Sequence, residues 1–270
     1  MTRRFGLHPE VLGTEAITRY TRHIVELADP EQLDLAVPSC GDWTMADLVW
    51  HLAEVQSFWA WIIEHRPAPV EEAEMPDRAV DAALRAQLTD ANDRLCAALD
   101  AASFDDPAWT WHLEHKTVDF SIRRQTHEAL IHCFDAVLAT DGPAPVVEPA
   151  LAADGFDELV TVMAGGVPEW AEYKSSDRRI DVWAVDTDDR WLLELGSITG
   201  RSPRGTDYVD EPTIAVVDPQ SGTAPSAGLS GPALELDLWA WGRGSVDELT
   251  VSGDEAVVNA LRSLIISSTQ

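Results

Sequence analysis

The feature that most constrains this chain is a change of periodicity near its middle. Before residues 142–149, apolar residues recur with helical spacing; after them, shorter alternating and clustered runs take over. The break itself is rich in proline and small residues (Gly142, Pro143, Pro145, Pro149), the composition of a connection between domains. We place the boundary there, with residues 1–145 forming one domain and 146–270 the other.

In the first domain the spacing predicts helices over residues 7–27, 44–65, 79–99 and 118–139. Asp29 and Pro30 end the first. Thr44 and Asp47 fit a capping box at the start of the second, where Thr44 accepts from a free N–H and Asp47 reaches back. Pro67 and Pro69 stop that helix, and Asp141-Gly142-Pro143 stops the fourth. Four long helices joined by loops imply an antiparallel bundle. In the second domain a helix is expected over 150–163 and another over 254–266. Strands are expected over 180–185, 191–195, 213–217 and 249–252, with 234–241 ambiguous and 221–231 a loop. The fold class is therefore a helical bundle followed by a small α+β domain.

Charge narrows the partners. The chain carries 19 Lys and Arg against 47 Asp and Glu, a formal net charge of -28. Nucleic acid and anionic membranes both need a basic face, so neither is an expected partner. No apolar stretch reaches the roughly 20 residues of a membrane span. The N-terminus lacks the apolar core of a signal peptide. Three cysteines (Cys40, Cys96, Cys133) without a CxxC pattern fit a reducing, cytoplasmic setting.

Chemistry concentrates on the fourth helix. Glu128 and His132 are four residues apart and share a face, where a carboxylate and an imidazole can hold one metal ion. Asp135 follows on the same stripe and can orient His132. On the second helix His51 interrupts an otherwise apolar run. His, Glu and His leave a coordination position open, the pattern of a catalytic rather than a structural zinc. From spacing alone, Arg124–Glu128 is equally an ion pair on a solvated face, and His51 equally a hydrogen-bonded helix histidine. Cys133 reads as core; Cys40 reads as a loop thiol, with facing the site as the alternative; His112 and His115 could add a ligand or line the pocket, though nothing fixes their orientation.

The residues 37–52, VPSCGDWTMADLVWHL, resemble the start of the second helix in the mycothiol-dependent maleylpyruvate isomerase family of actinobacteria. Residues 124–135 resemble that family's last bundle helix, and 238–243 (LWAWGR) with 251–254 resemble its C-terminal domain. The resemblance implies a DinB-like bundle holding a divalent metal, zinc by preference, on His51, Glu128 and His132. It implies a second domain like sterol-carrier proteins, and mycothiol as thiol cosubstrate. The metal-bound thiolate would add to a double bond for cis–trans isomerisation, or be transferred. Asp135 would support His132 from outside the ligand set, and Arg243 and Arg124 would bind a small anionic or electrophilic substrate through their guanidinium groups. A metal-dependent hydrolase and a non-catalytic metal-binding bundle are the other readings.

Overall fold

A computed structural model describes residues 5–68, 70–218 and 223–268. Pro69, one of the two expected stops of the second helix, lies outside the described residues, as do residues 1–4 and the first two residues of the expected 221–231 loop. The chain separates into two compact units, Met1–Val146 and Val147–Gln270.

The first unit is a bundle of α1 (Thr14–Leu27), α2 (Met45–His65), α3 (Asp81–Asp100) and α4 (Val118–Thr140). The first helix starts later than the apolar spacing implies, because Gly13 interrupts and a short 3-10 turn, Pro9–Val11, precedes it. The fourth ends on Asp141, which takes the left-handed conformation (φ 51°) one residue before Gly142.

The helices do not simply alternate in direction. Thr14 bonds Asp100 and Thr18 lies beside Cys96, so α1 and α3 run antiparallel. Arg78 meets Asp47 near the starts of α3 and α2, and Arg94 meets Glu64 near their ends, so these two run parallel. Ser39, just before α2, meets Asp135 late in α4, so α2 and α4 are antiparallel. The end of α1 packs beside Gly142 and Pro143, making α1 and α4 parallel. The order is thus up, down, down, up. The 15 residues between α2 and α3 make this possible, because they return the chain along the bundle.

The second unit begins with α5 (Pro149–Glu158), which widens into one π-helical stretch, Leu159–Met163. Then come β1 (Ala171–Ala184), β2 (Asp189–Arg201), β3 (Asp207–Val216), β4 (Ala227–Gly231), α6 (Ala233–Ala240), β5 (Thr250–Gly253) and α7 (Glu255–Ser268). The five-stranded sheet has the order β3-β2-β1-β4-β5, with β1 and β4 parallel and the other pairs antiparallel. Its apolar residues Ile180, Val182, Leu193 and Leu229 are buried, as are Phe156 of α5 and Val257, Leu261 and Ile265 of α7. The ambiguous 234–241 segment is helical.

Two features exceed the sequence expectation. Strands β1 to β3 extend well beyond their apolar cores into a polar arm. Bulges after Ser175 and Ile198 interrupt its register, with Asp177 and Asp210 in the left-handed region beside them. And β4 occupies the stretch read as loop. A Cβ on Gly231 would meet the end of the Leu249 side chain at 2.5 Å, so a larger residue there would have to displace that side chain.

Candidate metal centre

The centre is built on α4, where Glu128, His132 and Asp135 occupy positions i, i+4 and i+7 of one stripe. Facing them is His51 of α2. Helix α2 is fixed at its start by the capping box: the Asp47 N–H donates to Thr44 Oγ1, and the Thr44 N–H donates to Asp47 Oδ2 at 2.9 Å. Carbonyls of Leu35 and Leu33 take the N–H groups of Met45 and Ala46. The free donors at the N-terminus of α2 are therefore all engaged. That anchors His51 two turns further on.

The Nε2 atoms of His51 and His132 each lie 3.3 Å from the same oxygen, Glu128 Oε1. This is long for a hydrogen bond. It equals the edge of a tetrahedron with ligands about 2.05 Å from its centre, roughly 3.3 Å, as for zinc bound by nitrogen and oxygen. One donor atom from each residue lies within 4.8 Å of the others. The side chains are 28%, 20% and 12% exposed for His51, Glu128 and His132, so the centre is shielded yet reachable. The donor set fits a divalent cation with an open position.

The surroundings fix each donor. Arg124 donates to the other Glu128 oxygen, Oε2, at 2.9 Å, leaving Oε1 for the cation. Arg124 is only 5% exposed, so this is a buried pair and not the solvated one that the spacing also allowed. Burial opposes charge on Glu128, but hydrogen bonds from His132 and His51 and the Arg124 charge overcome it and hold the carboxyl well below its ordinary value. Burial likewise opposes charge on His132. Asp135, Cys40 and Glu128 outweigh that and raise its pKa well above the ordinary imidazole value. His132 Nδ1 lies 2.9 Å from Asp135 Oδ2, which leaves Nε2 facing Glu128.

The turn before α2 supplies what sequence reasoning passed over. Gly41, in the left-handed region, lets residues 37–43 fold back so that the Val37 N–H donates to the Trp43 carbonyl at 2.8 Å. Ser39 Oγ donates to Asp135 Oδ1, and Cys40 Sγ donates to Asp135 Oδ2 at 3.3 Å. The Trp43 ring lies 4.8 Å from the His51 ring and 6.3 Å from that of His132. The one available signal was position, because these residues immediately precede the capped helix that carries His51.

The remaining candidates lie apart from this group. Cys133 is buried and its thiol pKa is pushed up by burial, as for a core residue. His127 is buried on α4 outside the ligand set. His112 Nδ1 accepts the N–H groups of Glu114 and His115, and both imidazoles stack among Phe5, Trp111 and Phe120. In the second unit, Arg243 follows α6, where its Nη1 donates to the Trp241 carbonyl at 2.6 Å and its guanidinium lies 5.8 Å from the Trp241 ring.

A helical bundle with a His/Glu/His centre, followed by a mixed-sheet domain, defines the class. Residues 14–137 match the family model described as the mycothiol maleylpyruvate isomerase N-terminal domain, and residues 150–260 match the MDMPI C-terminal domain. The chain belongs to the mycothiol-dependent maleylpyruvate isomerase family. Two solved structures share its fold: the mycothiol-dependent maleylpyruvate isomerase (TM-score 0.57) and a histidine-to-alanine mutant of it (TM-score 0.59). Each is 14% identical in sequence, and the match covers 89% of this chain and 92% of that one. No curated protein sequence matches. Among the described residues, no helix is long and apolar enough to cross a membrane.

Proposed function

We propose that this protein is a divalent-metal enzyme that uses mycothiol as cosubstrate, for cis–trans isomerisation or thiol transfer on a small electrophilic or anionic molecule. The convergence of His51, Glu128 and His132, with both imidazole nitrogens 3.3 Å from one Glu128 oxygen, carries the reading. A divalent cation held there, zinc by preference, supplies a Lewis acid that keeps a coordinated thiol ionised near neutral pH.

The chain's own residues divide the remaining work. Asp135 holds the His132 ring by its Nδ1, and Arg124 holds Glu128 to a single free oxygen. Arg243 is the proposed anchor for a substrate carboxylate through its guanidinium fork. Arg124 is the second proposed anchor, and each guanidinium already donates to one protein oxygen, Arg124 to Glu128 and Arg243 to the Trp241 carbonyl. The formal charge of -28 does not oppose an anionic substrate, because a cation and one or two arginines set the field locally.

The test is conversion of maleylpyruvate, or of a simpler thiol-reactive alkene, by metal-loaded protein with and without mycothiol. Turnover that needs both metal and thiol is expected. Turnover without thiol would favour a metal-dependent hydrolase, and purified protein that takes up no metal would favour a non-catalytic bundle.

A further inference from the structure

Asp135 is fully buried. An ionised carboxylate in that position is costly unless hydrogen-bond donors surround it. One comes from its own helix, His132 Nδ1. Two others come from the turn before α2: Ser39 Oγ on Oδ1 and Cys40 Sγ on Oδ2. The two oxygens are thus addressed from different sides.

We infer that Ser39 and Cys40 are positioning residues for His132, acting through Asp135. This rests on the proposed metal reading for its purpose, though not for its geometry. Ser39 holds Oδ1, which sets the plane of the carboxylate. With the plane set, Oδ2 points at His132 Nδ1 and accepts its proton. The ring is then held with Nε2 toward Glu128 Oε1, 3.3 Å away. Partners of this kind outside the ligand set fix the tautomer and orientation of a metal-binding histidine. Because the same turn carries Trp43 against His51, one short segment organises both histidines of the centre. Cys40, 3.3 Å from Oδ2 through a weak S–H donor, has the smaller share.

The test compares wild type with Ser39→Ala, Ser39→Thr and Cys40→Ala. Zinc affinity is read by chelator competition, and the His132 Nδ1–H proton by NMR in zinc-loaded and zinc-free protein. Ser39→Ala is expected to weaken zinc binding about tenfold, the lower end for losing such a partner. It should also broaden the Nδ1–H signal through faster exchange with water, and it should lower the thermal unfolding temperature, because a buried carboxylate loses one of its donors. Ser39→Thr, which keeps the hydroxyl, should restore affinity and signal, and Cys40→Ala should change affinity less than Ser39→Ala. Wild-type zinc affinity and an unchanged Nδ1–H signal in Ser39→Ala would overturn the inference. If wild type itself takes up no zinc, the proposed function fails, while the zinc-free Nδ1–H signal still decides the positioning role.

Discussion

Two buried regions treat ionisable groups in opposite ways. At the candidate metal centre the ionisable groups have counterparts: Arg124 for Glu128, Glu128 and Asp135 for His132, and the Ser39 and Cys40 donors for Asp135. In the second unit, Asp237 of α6 is only 1% exposed, and its carboxylate lies near those of Glu158 and Asp154. Burial, then the nearby Glu158 and Asp154 charges, push its pKa well above the ordinary carboxylate value, against the opposing charge of Arg243. Paired charges keep their ionised forms when desolvated, whereas one buried among like charges gives its charge up. The first arrangement suits holding a cation, and the second does not.

The largest expected effect breaks the paired region. His51→Ala, Glu128→Ala and His132→Ala should each weaken metal binding by at least roughly 100-fold, more than loss of an outer partner does. Elemental analysis after dialysis reads this directly. Full metal retention in all three would sink the assignment. His112→Ala and His115→Ala are the control. Their pKa values are lowered, mainly by burial, and His112 Nδ1 is taken up by two backbone N–H groups. Metal content should be unchanged, with at most about 1 kcal/mol of stability lost from ring contacts.

The like-charge region is sharpened by Asp237→Asn. A carboxyl whose folded pKa lies above its unfolded value favours folding fully below the unfolded value, near 3.8, and loses that contribution as pH rises through the folded one. Wild type is therefore penalised at neutral and alkaline pH, and the amide removes the penalty. Asp237→Asn should be more stable on the order of 1 kcal/mol at pH 8, a shift of roughly 3–5 °C in Tm, and the gain should vanish near pH 4. A variant less stable than wild type at pH 8 contradicts the account.

How much of this was legible follows the same physics. The bundle helices were readable because one apolar period runs through each, and the nearness of Glu128 to His132 because they share a helical face. The parallel pairing of α2 with α3 was hidden, since helix direction depends on where a connecting loop travels. The outer halves of β1, β2 and β3 were hidden too, because largely exposed strands carry no apolar alternation to read. β4 read as loop since its residues AGLSG are small, with a single large apolar side chain to mark a strand. Ser39 and Trp43 act across space from a turn, where no period signals them.

The smallest effect tests pairing at an exposed carboxylate, Asp47. Its pKa is lowered to about 2 by the Thr44 backbone N–H, then by Arg78 and the Thr44 hydroxyl. A carboxyl with a depressed folded pKa contributes stability above its unfolded value, 3.8, and loses it as pH falls toward 2. Its side chain is 35% exposed, so solvent screens most of the Arg78 attraction and the cap supplies the larger share. Asp47→Ala should cost about 0.5 kcal/mol at pH 7, the low end for a helix cap, and the cost should fade between pH 4 and pH 2. Arg78→Ala should cost less than that, and less again in high salt. Because Asp47 closes the helix that carries His51, zinc affinity in Asp47→Ala decides how far the centre depends on its scaffold. Affinity within about twofold of wild type is expected, since the carbonyls of Leu35 and Leu33 still hold the first turn of α2. A tenfold loss would mean that the cap, and not the turn carrying Ser39 and Trp43, sets the position of the centre.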